Sequence, residues 1–212
     1  MKIMIDDIYE KMPWAELDTI VFDVGQVLLS FEPEKVMENE FPGQKELHEK
    51  LMTRMFKSPY WIMMDRGIIS TEEAISAMAG RDKALAVPVR HIIDKWIDSK
   101  TPISEGVDAL HACKAHGKKL YILSNYGDAT FSLACQKFDF FKLFDGMVVS
   151  SRVKMVKPGL DIFDYTARKF ELNPERTLFI DDTPANIEAA LYAGWQGFCM
   201  NEKGKLSSFI EE

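Results

Sequence analysis

The chain has 212 residues, of which 47% are hydrophobic and 28% charged, and its formal net charge is -7. This composition is typical of a globular domain, or a domain with an insertion, that is large enough for a substantial core. The acidic balance argues against nonspecific nucleic-acid binding, which needs a basic stripe, and the longest apolar runs fall well short of the ~20 residues that span a membrane. The amino terminus, MKIMIDDIYE, lacks the basic and apolar regions of a signal peptide, so we expect a cytoplasmic protein.

The amino-terminal segment and the cysteines carry no recognisable chemistry. Residues 1–16 predict a short amphipathic lead-in, helical up to Pro13, to which we assign no function. The cysteines, Cys113, Cys135 and Cys199, are widely separated and form no CxxC spacing, so we expect free, buried thiols. No feature of the sequence distinguishes a monomer from a homodimer.

The first predicted strand lies in the stretch LDTIVFDVGQVLLSF, from Leu17 to Phe31. The apolar run Ile20–Phe22 is typical of a strand buried on both faces, and Asp23 and Gly25 follow it. A carboxylate at the carboxyl end of a parallel strand lies where open α/β sheets bind their ligands. Asp and Gly are also ordinary turn residues, so this stretch alone leaves both interpretations open.

Residues 33–100 predict a helical insertion. They contain few strand patterns, and their apolar residues recur at three- and four-residue spacing. Ser70 and Glu73 fit a capping box at the start of one helix. We therefore assign residues 33–100 to a small helical cap and residues 1–32 and 101–212 to an α/β core.

From Pro102 onward, predicted helices and strands alternate, and one helix ends at Gly117. Such alternation indicates a Rossmann-like parallel sheet with helices on both faces. The predicted strands are Ile20–Phe22, Lys119–Leu123, Gly146–Val149, Thr177–Ile180 and Gly197–Met200.

Polar side chains follow these strands at their carboxyl ends, which share one edge of a parallel sheet. Carboxylates gathered there need a cation, and oxygen ligands without His or Cys favour Mg²⁺. A hydroxyl, an amide and an ammonium supply donors for phosphate oxygens. The set therefore favours phosphoryl transfer through an aspartyl-phosphate. Its members are Asp23, Ser124, Asn125, Lys157, Asp181 and Asp182.

Four segments in this order resemble the haloacid dehalogenase superfamily of hydrolases: FDVGQVLL, LSN, KP and FIDDTPANIEAA. Each segment is weak alone, but the ordered combination is specific and covers residues from about 18 to 200. The resemblance implies a Rossmann-like core in which the inserted helical cap closes over the pocket and excludes water. It also implies a small phosphorylated metabolite as the substrate.

The resemblance implies a role for each site residue. Asp23 would be the nucleophile, and Lys157 would neutralise developing charge and steady Asp23. Ser124, Asn125 and Lys157 would bind phosphate. The Mg²⁺ ligands would be Asp23, the carbonyl of Gly25 and Asp182, with Asp181 supporting them through water or a hydrogen bond. Each residue also has an ordinary structural role: Ser124-Asn125 as a turn, Lys157 at the surface, and Asp181-Asp182 as the cap of a helix at Pro184.

Gly25 departs from the pattern of most phosphatases in the superfamily, which carry there a second Asp that protonates the leaving oxygen. Its absence leaves three interpretations: a phosphatase with another proton source, a metal-free 2-haloacid dehalogenase that uses Asp23, or a catalytically weak phospholigand-binding protein. Asp181-Asp182 favours the phosphatase, because a dehalogenase needs no metal. Sequences resembling alpha-glucose-1-phosphate phosphatases also have this glycine, with an Asn or Gln-like residue next to it, here Gln26. We therefore expect a sugar phosphate as the substrate.

Specificity should come from the cap. Trp61, Asp65 and Arg66 are candidates to contact the substrate, although Asp65 and Arg66 could instead pair at the surface and Trp61 could be part of the cap interior. Tyr126 is a candidate for the pocket rim.

Overall fold

The computed structural model describes residues 14–200 together with Leu206 and Ile210. The amino-terminal lead-in predicted for residues 1–16 lies outside this part up to residue 13; Trp14–Glu16 form a single 3-10 turn. Among the described residues, no helix combines the length and the apolar character needed to cross a membrane.

Five parallel strands form one sheet in the order β3-β2-β1-β4-β5. The apolar run that predicted the first strand lies at the centre, and every residue of β1 and β4 is buried. This arrangement is expected for a sheet with helices on both faces. The strands are β1 Thr19–Phe22, β2 Lys119–Ser124, β3 Gly146–Val149, β4 Thr177–Asp181 and β5 Gln196–Cys199.

Ten α-helices surround and extend this sheet in the described part of the chain. Five lie in residues 33–100: α1 Pro33–Glu40, α2 Lys45–Leu51, α3 Pro59–Asp65, α4 Thr71–Ala79 and α5 Ala86–Lys95. The other five follow: α6 Ser104–Ala115, α7 Asp128–Lys137, α8 Ser150–Val153, α9 Leu160–Phe170 and α10 Pro184–Tyr192. A π-helical turn, Met52–Phe56, continues α2.

The buried side chains form three clusters. Two of them include alternate residues of β1, such as Phe22 in one and Val21 in the other, because successive side chains of a strand point to opposite faces. The third cluster runs from Val36 to Trp96 and lies entirely within residues 33–100. The helical insertion, which we call the cap region, thus has an interior of its own.

Four of the five strands differ by one residue from the sequence expectation, and the first of them, β1, begins at Thr19 instead of Ile20. Ser124 and Asp181 were expected to follow their strands, but each is the last residue of its strand. Ser124 pairs with Val149 of β3, and the carbonyl of Asp181 accepts the N–H of Met200. The fifth strand lies one residue earlier than expected. Polar residues thus extend the ladders beyond the apolar runs, because backbone pairing does not depend on side-chain polarity.

The predicted capping box is present at the start of α4. Ser70 Oγ accepts the N–H of Glu73, and the Glu73 carboxylate accepts the N–H of Ser70. The thiols of Cys113, Cys135 and Cys199 are free, as expected, and Cys135 is only partly buried.

Candidate functional site

The site begins where β1 ends. Phe22 pairs with Ile180 of β4, so Asp23 and Asp181 lie side by side one residue further along, and the N–H of Asp23 donates to the carbonyl of Ile180 at 2.9 Å. The chain then turns: Gln26 adopts a positive φ of 54°, and its side-chain oxygen accepts the N–H of Phe31 at 2.7 Å. This turn holds Gly25 directly beyond the Asp23 carboxylate.

Lys157 lies between two carboxylates. Its Nζ is 2.6 Å from Oδ2 of Asp181 and 2.9 Å from Oδ1 of Asp23. The ammonium is almost completely buried, with 1% of the side chain exposed. A buried ammonium needs such partners, since an unpaired charge in this environment would be very costly. Lys157 is therefore part of the site and not a surface lysine.

Asp181 is fully engaged by hydrogen bonds from protein groups. Its Oδ1 accepts the N–H of Thr183 at 2.8 Å, and Nδ2 of Asn186 lies 3.0 Å from both carboxylate oxygens. With Lys157 added, both oxygens of Asp181 have partners. Asp181 therefore has the geometry of a supporting residue that holds Lys157.

Asp182 has different surroundings. It is partly exposed, and its Oδ1 accepts a long hydrogen bond of 3.4 Å from the hydroxyl of Thr183. One carboxylate oxygen each from Asp23, Asp181 and Asp182 lies within 4.8 Å of the others. Three carboxylates thus face a single ammonium, which leaves a strongly negative site.

This donor set fits Mg²⁺. Oδ1 of Asp23 is buried, and the Lys157 ammonium at 2.9 Å is the one partner it has among the described residues. Oxygen ligands with a net negative charge suit a hard divalent cation, which keeps several waters. The residues that would hold the ion are Asp23, Asp182 and the carbonyl of Gly25.

Ser124 is the last residue of β2 and Asn125 follows it. Because β1 lies between β2 and β4, these two residues lie on the side of Asp23 opposite Asp181. The Ser124 hydroxyl hydrogen-bonds to the Asp23 carboxylate. The Asn125 side chain clamps the backbone of Lys157: Nδ2 donates to its carbonyl, and Oδ1 accepts its N–H, both at 2.9 Å. The amide of Asn125 thus already positions Lys157, and the phosphate contacts expected for Ser124 and Asn125 stay predictions.

Burial and neighbouring charges shift the pKa values of this cluster. Burial raises the pKa of Asp23 to about 6, with Asp181 adding to the rise and Lys157 opposing it. Burial lowers the pKa of Lys157, but the carboxylates of Asp181 and Asp23 outweigh burial and the net shift is upward. Burial and Asp181 also raise the pKa of Asp182. A bound cation would stabilise the ionised carboxylates.

A pocket opens above Asp23 between the core and the cap region. Asp23, Gly25, Ser124 and Asn125 form its polar end. Most of the remaining lining is apolar and comes from Leu29, Phe31, Trp61, Met64, Ile93 and Trp96. Tyr126 also lines the pocket, as expected for a rim candidate.

Two charged side chains, Asp65 and Lys100, lie in this apolar wall. Asp65 accepts hydrogen bonds from the Gly127 N–H and the Trp61 side chain, but burial is the larger effect and raises its pKa to about 8. Lys100 donates to the carbonyl of Ser30 at 2.7 Å and lies 4.0 Å from the centre of the Trp96 ring. Burial lowers the pKa of Lys100 to about 7.

The segment after Asp65 fastens the cap region to the core. Arg66 Nε donates to the carbonyl of Lys154 at 2.8 Å, and Lys154 Nζ donates to the carbonyl of Gly67. The Ser150 hydroxyl donates to the carbonyl of Asp65. Arg66, a candidate for substrate contact, is instead exposed and does not line the pocket, whereas Trp61 and Asp65 do.

Sequence reasoning missed three residues of this region. Asn186 lies within the segment FIDDTPANIEAA. Its position in the first turn of the predicted helix could have indicated that its side chain reaches back to Asp181. Ser150 follows a predicted strand, which was a comparable signal. Nothing in the pattern singled out Lys100, since a lysine at the end of a helical insertion normally lies in solvent.

Comparisons with known proteins identify the family of this chain. The family of haloacid dehalogenase-like hydrolases matches residues 17–194. Among curated proteins, the drimenol cyclase drtB of Aspergillus calidoustus is 26% identical over 88% of this chain, which covers 34% of that protein. The sesquiterpene phosphatase astK of Aspergillus oryzae is 20% identical, with 86% and 89% covered. A phosphorylated carbohydrates phosphatase of Thermotoga maritima is 22% identical, with 84% and 82% covered.

Solved structures share the fold. A haloacid dehalogenase family enzyme of Bacteroides thetaiotaomicron, solved with magnesium and inorganic phosphate, gives a TM-score of 0.71 at 21% identity, with 90% of this chain and 98% of that chain covered. The L-2-haloacid dehalogenase of Xanthobacter autotrophicus gives 0.64 at 16% identity, with 91% and 81% covered. Because the family match extends over most of the sequence, the chain belongs to the haloacid dehalogenase-like hydrolases.

Proposed function

We propose that this hydrolase is an Mg²⁺-dependent phosphatase that cleaves a small phosphorylated metabolite through an aspartyl-phosphate on Asp23. One observation carries the proposal: Lys157 bridges Asp23 and Asp181, and Asp182 lies close enough for the three carboxylates to share a cation. A metal-free dehalogenase has no need for this concentration of negative charge. The phosphatases among the relatives give further support.

Each residue has a role in this proposal. Asp23 attacks phosphorus, and Lys157 keeps Asp23 ionised and attracts the phosphoryl oxygens. The hydroxyl of Ser124 and the amide groups of Asn125 donate to those oxygens. Asp181 and Asn186 hold the ammonium in place. When bound by Asp23, Asp182 and the Gly25 carbonyl, Mg²⁺ would offset the charge that develops on the transferring group.

The pocket lining bears on the alcohol part of the substrate. A sugar phosphate, the sequence expectation, remains one proposal, because Asp65 and Lys100 offer hydrogen bonds and Trp61 and Trp96 offer aromatic faces. The mainly apolar lining favours a second candidate, the phosphate ester of an apolar alcohol. The sesquiterpene phosphatase among the relatives is in keeping with this second class.

The test is an assay of the purified chain with Mg²⁺ on sugar phosphates, prenyl phosphates and 2-haloacids. We expect phosphate release that EDTA and Asp23→Asn each abolish. Asp145→Asn is the matched control, since Asp145 is an aspartate of the core that pairs with Lys114 away from the pocket, and it should leave phosphate release unchanged.

Other outcomes would replace the proposal. Halide release without metal would favour a dehalogenase that uses Asp23. Binding of a phosphorylated compound without turnover, measured by calorimetry, would favour a binding protein. Phosphate release that survives Asp23→Asn would rule out Asp23 as the nucleophile.

A further inference from the structure

The core of this hydrolase has no acid at the position two residues after its nucleophile. An alcohol leaves phosphorus poorly unless its oxygen receives a proton, and general acid catalysis typically contributes about 10²- to 10⁴-fold. The position two residues after Asp23 is Gly25, which has no side chain. A Cβ added at Gly25 would meet no atom within 4 Å, so the space beside the nucleophile is open toward the pocket.

Asp65 faces the same pocket from the cap region. It is the last residue of α3, and its carboxyl group is held by the N–H of Gly127, two residues beyond Asn125, and by the Trp61 side chain. Its carbonyl is held by Ser150. Asp65 and Asp23 line the same pocket. The cap region thus positions a carboxyl group in the pocket that Asp23 and Gly25 also line.

We propose that Asp65 is the catalytic proton donor that replaces the acid missing at Gly25. This inference rests on the proposed phosphatase function. As Asp23 bonds to phosphorus, the bond to the leaving oxygen breaks, its electron pair stays on that oxygen, and Asp65 supplies the proton. Water then attacks phosphorus, its protons leave on the phosphate, and the electron pair of the broken bond returns to Asp23; Asp65 regains its proton from solvent.

The titratable groups around Asp65 favour this role. Lys100, Asp23 and Tyr126 line the same pocket as Asp65. Asp65 is protonated at neutral pH because burial raises its pKa to about 8. Lys100 is the alternative donor, but its Nζ already donates to the carbonyl of Ser30 and lies over the Trp96 ring. Lys100 therefore lowers the pKa of Asp65 and does not replace Asp65 as the proton donor.

Two substrates of similar size separate proton donation from binding. Benzyl phosphate has an alkoxide leaving group that needs a proton, whereas p-nitrophenyl phosphate has one that leaves without it. We expect Asp65→Asn to lower kcat with benzyl phosphate about 10²-fold or more, and with p-nitrophenyl phosphate less than about 10-fold. Asp94→Asn, an exposed aspartate of α5 outside the pocket, should change neither.

The pH profile gives a second measurement that uses only the unchanged protein. With benzyl phosphate, kcat should fall as the pH rises through about 8 and Asp65 loses its proton. With p-nitrophenyl phosphate, it should stay level over this range. This comparison remains decisive if Asp65→Asn does not fold.

The proposal would be overturned if Asp65→Asn lowered kcat equally with both substrates, or if kcat of the unchanged protein fell at high pH with both. Asp65 would then have a role in substrate binding or in the structure. Failure of the phosphatase function itself would look different: the unchanged protein would release phosphate from neither substrate, or Asp23→Asn would remain active.

Discussion

At the scale of single residues, the site depends on the buried ammonium of Lys157, which offsets two carboxylates. We expect Lys157→Met, which keeps much of the side-chain length but removes the charge, to destabilise the metal-free protein by about 3 kcal/mol, because it leaves buried charges uncompensated. Phosphatase activity should fall at least about 10²-fold, since a donor to the transferring group is lost. Urea unfolding and steady-state kinetics measure the two effects.

Lys95→Met is the matched control. Lys95 is an exposed lysine whose partner, Asp98, is 3.8 Å away, and exposed ion pairs contribute only about 0–1 kcal/mol. If Lys157→Met were no less stable than Lys95→Met, Lys157 would not be the charge that holds Asp23 and Asp181 together.

The raised pKa of Asp65 predicts that the free energy of unfolding depends on pH. The pKa of its carboxyl group is about 8 in the folded chain against an ordinary value of 3.8. The folded state therefore binds a proton that the unfolded state releases, and the free energy of unfolding falls as the pH rises from about 4 to about 8. Asp65→Asn has no proton to lose, so it should gain stability over the unchanged protein by about 4 kcal/mol between pH 4 and pH 7.

Thermal or urea unfolding at pH 4, 5, 6 and 7 measures this difference, in a range that lies below most of the titration of Lys100. Asp94→Asn should show a constant difference, because its side chain is exposed. A difference for Asp65→Asn that is also constant would mean that Asp65 is ionised throughout this range.

At the scale of elements, the short helix α8 joins the cap region to the core through the Ser150 side chain. The Ser150 hydroxyl accepts the N–H of Tyr126 at 2.9 Å and donates to the carbonyl of Asp65. Ser150 is completely buried, so Ser150→Ala leaves two backbone groups without partners. We expect a loss of about 1–3 kcal/mol in stability and a higher KM, because Asp65 and the loop at Tyr126 are no longer held together.

Hydrogen exchange at the Tyr126 amide tests this contact directly and should become faster in Ser150→Ala. Ser76→Ala is the control, since Ser76 is exposed on α4 and its hydroxyl contacts neither element. Unchanged exchange at Tyr126 would show that the loop is held by other contacts.

The elements themselves were largely predictable from the sequence. The apolar runs of β1 and β4 and the Gly and Pro residues at helix ends are local signals, and they located the five strands to within one residue at each end. The strand order and register follow from tertiary pairing, so the sequence indicated a shared edge at Asp23 and Asp181 but not that the two stand side by side.

At the scale of the whole molecule, the sequence could not predict which cap side chains reach the nucleophile. Asp65 was one of several candidates for substrate contact, and its protonation follows from burial that only the packed cap region creates. Lys100 is 77 residues from Asp23 in the chain, and only the docking of the cap region brings it to the same pocket. These residues carry no local pattern, because their role arises from the arrangement of two separately packed parts.

Because the nucleophile lies in the core and the proposed proton donor lies in the cap region, an acid added to the core should restore the turnover that is lost without Asp65. If the cap supplies the proton because Gly25 has no side chain, an acid restored at Gly25 should replace Asp65. The structure leaves room for it, since no atom lies within 4 Å of a Cβ at Gly25. We expect Gly25→Asp combined with Asp65→Asn to recover at least about 10-fold of the benzyl phosphate turnover lost in Asp65→Asn alone. Gly25→Ala in the same background should recover none, because it fills the space without an acid. If the two double variants were equally inactive with benzyl phosphate while p-nitrophenyl phosphate was still cleaved, the open space at Gly25 would not be a position from which a proton reaches the leaving oxygen.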